Sequence, residues 1–364
     1  MSFFTAPSYD EAARDSRQDL WKIFALPSLA GYHGFMTGAE AMTTYIRDSS
    51  GAQSAIWTFG SRSEPVRPAC GILELTSPEA ASFDWLVPWW NADIAGDAAM
   101  ELFLAVETQG SWSRWYPMGR WSKVPSTFAC ADAAAKVETD TLVLEAKASR
   151  YKLKVEVSPG AGGTGSVVIR RLGVLARERG LARSRASLEL LAESAIAAPC
   201  RSQMVEAEEI RGRICSPTCG AMALQSLGLD YPTAFVAADC YDAGAKIYGN
   251  WAFNVASLWR LGARARLGFF PSIEAASALL KAGSLIIASI RFGEGKLSGA
   301  PIGKTNGHLV LLTGLKKDES GAWRVLVNDP AAANPAGVRR DYDLEEFERA
   351  WTGVGYIIED RVGS

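Results

Sequence analysis

Short apolar runs separated by turn residues dominate the first half of the chain. Residues 151–157 alternate apolar and polar side chains, which is the spacing of a strand with one buried face. Gly-rich clusters, such as residues 159–165, separate some of the runs. The predicted strands are residues 53–59, 70–76, 100–108, 111–121, 139–146, 150–157 and 165–174. Short strands with turns between them predict an all-β, jelly-roll-like antiparallel sandwich.

This half is also rich in tryptophan. The residues are Trp57, Trp85, Trp89, Trp90, Trp112, Trp115 and Trp121. We interpret them mainly as core, because large aromatic side chains supply much of the buried area of a domain. The alternative is a platform of exposed rings through which the N-terminal domain binds a glycan or peptide ligand.

The pattern changes after residue 174. Residues 186–195 have helical spacing, so we predict a linker that contains a short helix, with a domain boundary near residue 180. Beyond it we predict helices at 217–227, 254–261, 273–282 and 343–351, and strands at 284–291, 308–315, 323–328 and 355–359. The expected organisation is an N-terminal β-sandwich domain at 1–180, a linker at 181–199 and an α+β domain at 200–364.

Charge and hydropathy exclude several classes of protein. The net charge is −2 and no dense run of Lys and Arg occurs, so we expect neither nucleic acid nor an anionic membrane as partner. No stretch approaches the roughly 20 apolar residues of a membrane span. The first residues lack a basic segment followed by an apolar one, which predicts a cytoplasmic protein. A chain whose leader had been removed would look the same, and would be secreted.

The cysteines do not form a recognisable metal or disulfide pattern. Six cysteines and only two histidines, His33 and His308, are present, and no Cys-x-x-Cys pair occurs. We therefore expect neither a structural zinc site nor a disulfide scaffold. Four of the cysteines are interpreted as packing residues: Cys70, Cys130, Cys200 and Cys240.

Cys215 stands in a different context from the others. Pro217 follows it by two residues, and proline is favoured in the first turn of a helix, where its missing N–H costs nothing. Cys215 is thus predicted at a helix N-terminus, whose positive end favours a thiolate. Cys219 lies one helical turn later and is the less favoured alternative nucleophile.

A base and an orienting acceptor are available on two consecutive predicted strands. His308 lies at the start of one strand, and Asp329 follows the end of the next. If the strands are antiparallel, these residues meet at the same end of the sheet, as a Cys–His–Asp arrangement requires. Asn328 is an alternative acceptor, but neighbouring strand residues face opposite sides, so only one of the two can point at His308. The amide of Gln203, with the N–H of Cys215, is the predicted oxyanion hole.

At these residues the sequence resembles the bacteriocin-processing (double-glycine) cysteine peptidases and their stand-alone bacterial relatives. The matching segments are residues 201–204, 215–219, 249–254, 307–310 and 327–331, in the order of that family. Cys219 departs from it, because a serine or another small residue is usual there. The resemblance extends to residues 83–91 and 115–121 of the first half. Within these segments we predict Asn250, Trp251 and Gly307 as substrate-binding residues. The alternative for Trp251 is that it only packs the helix that begins near Asn254.

The resemblance implies a papain-like fold and hydrolysis of peptide or isopeptide bonds by Cys215, His308 and Asp329, with Gln203 at the oxyanion. It implies a peptide or protein substrate and neither metal nor cofactor. Two alternative functions are compatible with the same sequence. One is an acyltransferase, in which an amine replaces water; the other is a glycan- or peptide-binding protein with a spent peptidase domain.

Overall fold

The computed structural model describes residues 41–47, 53–59, 72–77, 79, 81–184 and 186–363. His33, Cys70 and the first 31 residues, on which the prediction of localisation depends, lie outside the described residues. In the described part of the chain, no helix is long and apolar enough to cross a membrane.

The N-terminal half consists of two antiparallel sheets. The first contains β1 (Ala41–Arg47), β2 (Gln53–Phe59), β4 (Phe83–Ala95), β8 (Cys130–Ala131), β9 (Ala135–Glu138), β10 (Thr141–Ala148) and β12 (Ser166–Arg177), in the order β1-β2-β12-β4-β10-β9-β8. The second contains β3 (Ile72–Thr76), β5 (Ala99–Thr108), β6 (Ser111–Trp112), β7 (Tyr116–Trp121) and β11 (Arg150–Ser158), in the order β3-β11-β5-β6, with β7 also on β5. The all-β prediction for this half is confirmed.

The alternation read from the sequence is visible in β11. Tyr151, Leu153 and Val155 are buried, whereas the lysines between them are only half-buried. Four of the seven tryptophans are buried, as the core interpretation predicted: Trp57, Trp89, Trp90 and Trp121. Trp85, Trp112 and Trp115 are partly exposed.

The C-terminal half is an α+β domain around one antiparallel sheet. Its strands are β13 (Ser194–Ala195), β14 (Ala263–Phe269), β15 (Leu285–Phe292), β16 (Thr305–Lys317), β17 (Trp323–Asn328), β18 (Arg339–Asp343) and β19 (Trp351–Arg361), in the order β14-β19-β15-β16-β17-β18, with β13 on β16. Its helices are α1 (Glu208–Arg211), α2 (Cys215–Ser226), α3 (Thr233–Asp239), α4 (Trp251–Arg260), α5 (Ile273–Lys281) and α6 (Leu344–Ala350). The prediction of an α+β domain is confirmed.

The segment between the two halves differs from the sequence prediction. The expected helix at residues 186–195 is only a 3₁₀ turn, Leu188–Leu190, followed by β13. Ser194 and Ala195 pair with Leu315 and Gly314, so the chain already belongs to the second sheet here. A Cβ atom on Gly314 would lie 2.0 Å from the Ser194 carbonyl oxygen, and glycine at 314 permits this close approach.

Helix α4 joins the two halves. Phe253, on this helix, is fully buried between Trp90 and Trp121 of the sandwich, and the centroid of its ring is 5.9 and 5.5 Å from theirs. Arg171 of the sandwich and Arg266 of the second domain both bond to Glu359, each at 2.8 Å. The sandwich and the α+β domain therefore share apolar and ionic contacts across a continuous interface.

Candidate active site

Cys215 is the first residue of helix α2 and is partly exposed. Burial by itself would raise the pKa of its thiol. The hydrogen bond and charge of His308 outweigh this effect, with help from the backbone N–H groups of Leu309 and Ser216, so the pKa lies below its usual value. A thiol in this setting is prepared to ionise and act as a nucleophile.

His308 lies near the start of β16, opposite Ile290 of β15, and is 4% exposed. Its Nε2 atom is 2.8 Å from Oδ1 of Asp329. Because Nε2 is taken, the hydrogen bond to Cys215 uses the other ring nitrogen, Nδ1. Burial disfavours the charged ring, but the hydrogen bonds and charges of Asp329 and Cys215 raise the pKa of His308 to about 10.

Asp329 follows the last residue of β17 and is 1% exposed. The antiparallel register of β16 and β17 pairs Leu311 with Asn328, and this brings Asp329 to the end of the sheet where His308 lies. Burial would raise the pKa of Asp329, but the bonds from His308, from Tyr342 and from the Ala331 N–H hold it below its usual value. The carboxylate is therefore charged and able to stabilise an imidazolium.

Tyr342 is a member of this network that the sequence analysis did not consider. Its hydroxyl donates to Oδ2 of Asp329 at 2.7 Å. Tyr342 lies on β18, paired with Val325, and this strand is not among those predicted from the sequence. The strand β18 is polar, with two arginines and an aspartate before the tyrosine and an aspartate after it, and this pattern gave no signal of a buried hydroxyl.

Asn328, the alternative acceptor, points away from His308. Its Nδ2 atom donates to the carbonyl oxygen of Pro199 at 2.9 Å. The side chain thus holds the segment that enters the second domain. The structure brings Asp329, and not Asn328, to the histidine.

Gln203 lies beside the site in a 3₁₀ turn, Gln203–Val205. Its backbone N–H donates to Pro330, next to Asp329, and its Nε2 donates to the carbonyl oxygen of Arg211, shortly before Cys215. Oε1 is buried without a hydrogen-bond partner among the described residues. Nε2 retains a second N–H, and its predicted part in an oxyanion hole stays a prediction.

The three predicted substrate-binding residues are in different surroundings. Asn250 is fully buried and caps helix α4: Oδ1 accepts from the Phe253 N–H at 3.0 Å, and Nδ2 donates to Asp242. Trp251 packs edge-on against Trp85 and Tyr356. Gly307 is exposed, and a Cβ atom there would meet nothing within 4 Å. Of the three, Gly307 is the one with open space beside His308.

Cys219, the alternative nucleophile, is fully buried. Burial raises the pKa of its thiol well above the usual value, and the charges of Cys215 and Asp329 add to this. Its Sγ lies 3.4 Å from the carbonyl oxygen of Leu309. This environment is that of a packing residue.

Asn254 and Tyr356 fix the first turn of α2 through Ser216, and neither was predicted from the sequence in this role. Ser216 donates to Oδ1 of Asn254 at 2.8 Å and lies 3.0 Å from the hydroxyl of Tyr356. Asn254 belongs to helix α4, which packs against the sandwich. The position of Cys215 is thereby connected to the interface between the two halves. No group of three or more metal-ligating side chains occurs in the described part of the chain.

Comparison with known families finds two matches. Residues 195–358 match the Peptidase_C39 like family, and residues 36–177 match the Peptidase C39 N-terminal domain. A search of curated proteins gave no match.

Two solved structures are similar to part of the chain. A double glycine motif protease from an AMS/PCAT transporter, in complex with the leader peptide, is 20% identical, covers 46% of this chain and 96% of its own, and gives a TM-score of 0.32. The peptidase domain of Streptococcus ComA, a bi-functional ABC transporter, is 17% identical, covers 41% of this chain and 93% of its own, and gives a TM-score of 0.30.

Proposed function

We propose that this chain, a cysteine peptidase with a C39 N-terminal domain at residues 36–177 and a C39-like domain at residues 195–358, hydrolyses peptide or isopeptide bonds. The residues that carry the reaction in this proposal are Cys215, His308 and Asp329. The observation that carries the proposal is the continuous hydrogen-bonded series from the Cys215 thiol through His308 to Asp329. The substrate is a peptide or protein segment.

The reaction follows the chemistry of these groups. The Cys215 thiolate attacks the carbonyl carbon, and the developing oxyanion receives hydrogen bonds from the Cys215 N–H and the second N–H of Gln203. His308, protonated at Nδ1, gives its proton to the leaving amine as the tetrahedral intermediate collapses to a thioester. Water then attacks the thioester, His308 takes the proton from that water, and the carboxylic acid product leaves as the thiolate is restored. Asp329 keeps Nε2 of the ring protonated throughout, and it stabilises the imidazolium in the steps in which Nδ1 is protonated as well.

Thiol labelling tests the assignment of the nucleophile. We expect iodoacetamide to label the full chain at neutral pH on Cys215, and Cys215→Ala to remove that label together with peptidase activity. Cys219→Ala is the matched control, because it removes a buried thiol one turn away on the same helix; it should keep both. Labelling that survives Cys215→Ala and disappears in Cys219→Ala would contradict the proposal.

The products separate hydrolysis from acyl transfer. We expect the mass of the acyl product to correspond to the free acid, with and without an added primary amine. A product whose mass increases by that of the amine would assign the chain to the transferases instead. Complete absence of labelling and of cleavage would indicate a spent peptidase domain.

A further inference from the structure

A cleft lined by basic side chains opens where β15 ends and β16 begins. Its volume is about 740 Å³, and its lining includes Arg291, Lys296, Lys304 and Arg349. We call this feature the basic cleft. Its lining contains none of Cys215, His308 and Asp329, so it is separate from the Cys–His–Asp site.

The positive charge of the basic cleft is only partly compensated. Among the described residues, Arg291, Lys296 and Lys304 have no carboxylate oxygen within 4 Å, whereas Arg349 pairs with Glu345 at 3.4 Å. Glu294 is not in the lining, and its carboxylate lies against Gly303, where a Cβ atom would be 2.5 Å from Oε1. An anionic group in the cleft would therefore meet three cations, Arg291, Lys296 and Lys304, that have no carboxylate partner in the described structure.

The basic cleft is close to the reacting groups. Phe292 pairs with Thr305, and Ile290 pairs with His308, so the cleft and the histidine share one end of the same strand pair. The Arg291 guanidinium fixes this end by donating to the carbonyl oxygen of Asn306 at 2.9 Å. At about 3.3 Å per strand residue, Thr305 lies roughly 10 Å along the chain from His308. Exposed Gly307 leaves the space between them open.

The loop that carries Lys296 is held in place. Leu297 is 4% exposed, and Ser298 donates through both its N–H and its hydroxyl to Glu346 of helix α6. The N–H of Gly295 bonds to the carbonyl oxygen of Gly303 across the base of the loop. A lysine on such a loop is positioned before any ligand arrives, which lowers the entropic cost of binding.

We propose that the basic cleft binds carboxylate side chains of the substrate, two to four residues from the bond that is cleaved. The protein would thus select acidic peptide segments. This inference rests on the proposed peptidase function and adds its substrate class. Carboxylates suit the cleft because arginine and lysine make charge-assisted hydrogen bonds with them, and Arg291 and Arg349 offer planar donors. The distance to His308 favours a neighbouring part of the same peptide over a separate ligand.

Binding to the inactive Cys215→Ala full-length chain tests this inference independently of catalysis. The probes are fluorescent decapeptides that carry Glu, Gln or Lys at positions two to four residues from a central amide, with anisotropy as the measurement. We expect the Glu peptide to bind about tenfold more tightly than the Gln peptide, with an advantage that shrinks as salt is added. Equal affinity for the Glu and Gln peptides would overturn the inference.

Charge reversal in the cleft provides the matched variants. Lys296→Glu combined with Lys304→Glu should abolish the preference for Glu and create one for the Lys peptide. Lys281→Glu changes one exposed lysine at the end of α5 and should leave the preference unchanged. If the double variant and the control behave alike, the cleft does not bind substrate. In the active chain, cleavage that is insensitive to peptide charge would reject the inference but keep the proposed function. Failure of Cys215 to be alkylated would reject the proposed function, and the inference with it.

Discussion

The carboxylate of Asp329 is fixed at both oxygens. Oδ1 accepts from the Ala331 N–H at 3.0 Å and lies 2.8 Å from His308, while Oδ2 accepts from the Tyr342 hydroxyl. A carboxylate with these partners has little freedom to rotate and a strong preference for its charged form. His308 thus meets a fixed negative charge in a buried setting, where electrostatic interactions are stronger than in water.

The neutral amide in Asp329→Asn should narrow the pH profile of the enzyme from both sides. The pKa of His308, about 10 in the wild type, should fall because the amide has no charge to stabilise the imidazolium. The pKa of Cys215, which His308 lowers in the wild type, should rise because the ring of His308 is less often charged in the variant. The alkaline limb of activity therefore moves down by at least about one pH unit, and the acid limb of iodoacetamide labelling moves up.

Rates of labelling and of peptide cleavage between pH 5 and 11 measure this effect. Tyr342→Phe is the control: it removes one hydrogen bond to Asp329 but keeps the carboxylate charge that stabilises the imidazolium, so neither limb should move in the direction seen in Asp329→Asn. A profile in Asp329→Asn that matches the wild type would show that Asp329 does not act on the histidine.

The sequence reveals some members of the site and conceals others. The proline two residues after Cys215, and two strands that bring His308 and Asp329 to one end, are local signals that can be read from the chain. Tyr342 and Asn254 reach the site only through tertiary contacts, for which no local pattern exists. The burial of Asn250 likewise depends on contacts that the sequence pattern does not specify: its Oδ1 caps helix α4 and its Nδ2 donates to Asp242.

At the scale of elements, strand β4 shows where pattern analysis fails. Residues 86–92 are buried without interruption. Leu86, Trp90 and Ala92 face the core of the sandwich, whereas Val87 and Trp89 face the cluster that includes the helices of the second domain. A strand covered on both faces has no alternation, so its sequence lacks the period of two that identified the neighbouring strands. The covering on the second face depends on domain docking, which the local sequence does not report.

Gly173 of β12 should tolerate no side chain, because Trp89 lies against it. A Cβ atom at this position would be 2.2 Å from the Trp89 ring. We expect Gly173→Ala to lower the free energy of unfolding by about 1–3 kcal/mol, since overpacking forces a large ring out of its position. The measurement is urea denaturation of the full chain. Gly212→Ala is the control, because its Cβ would meet nothing within 4 Å and its φ is −82°. Equal stability of the two variants would contradict the packing argument.

At the scale of the whole molecule, buried polar groups connect the two halves. Asp242 accepts from the N–H and the hydroxyl of Thr127 in the sandwich, at 3.0 and 2.6 Å. Asp140 of the sandwich accepts from the Trp251 N–H at the start of helix α4. The same helix contacts Ser216 through Asn254, so docking of the sandwich supports the turn that carries Cys215. We therefore expect the two halves to unfold in a single transition.

Asp140 makes this docking sensitive to pH. Burial, reinforced by the charge of Asp242, raises the pKa of Asp140 to about 6 from 3.8, against the opposing bonds from Trp251 and Thr141. Between these two pKa values, the folded state therefore holds a proton that the unfolded state releases. The contribution of Asp140 to the free energy of unfolding is fully present below about pH 4 and is lost as the pH rises to about 6. The shift corresponds to roughly 3 kcal/mol at most.

Asp140→Asn tests this coupling, because the amide keeps an acceptor for the Trp251 N–H and has no charge. In urea denaturation of the full chain, we expect the variant to be more stable than the wild type at pH 7, by up to about 3 kcal/mol, and nearly equal to it at pH 4. Asp140→Ala should be less stable than Asp140→Asn at both pH values, because the N–H of Trp251 loses its partner at a buried interface. A difference in stability between the wild type and Asp140→Asn that does not change with pH would show that burial does not raise the pKa of Asp140. Two separate transitions in the wild type would show that the interface does not join the halves into one cooperative unit.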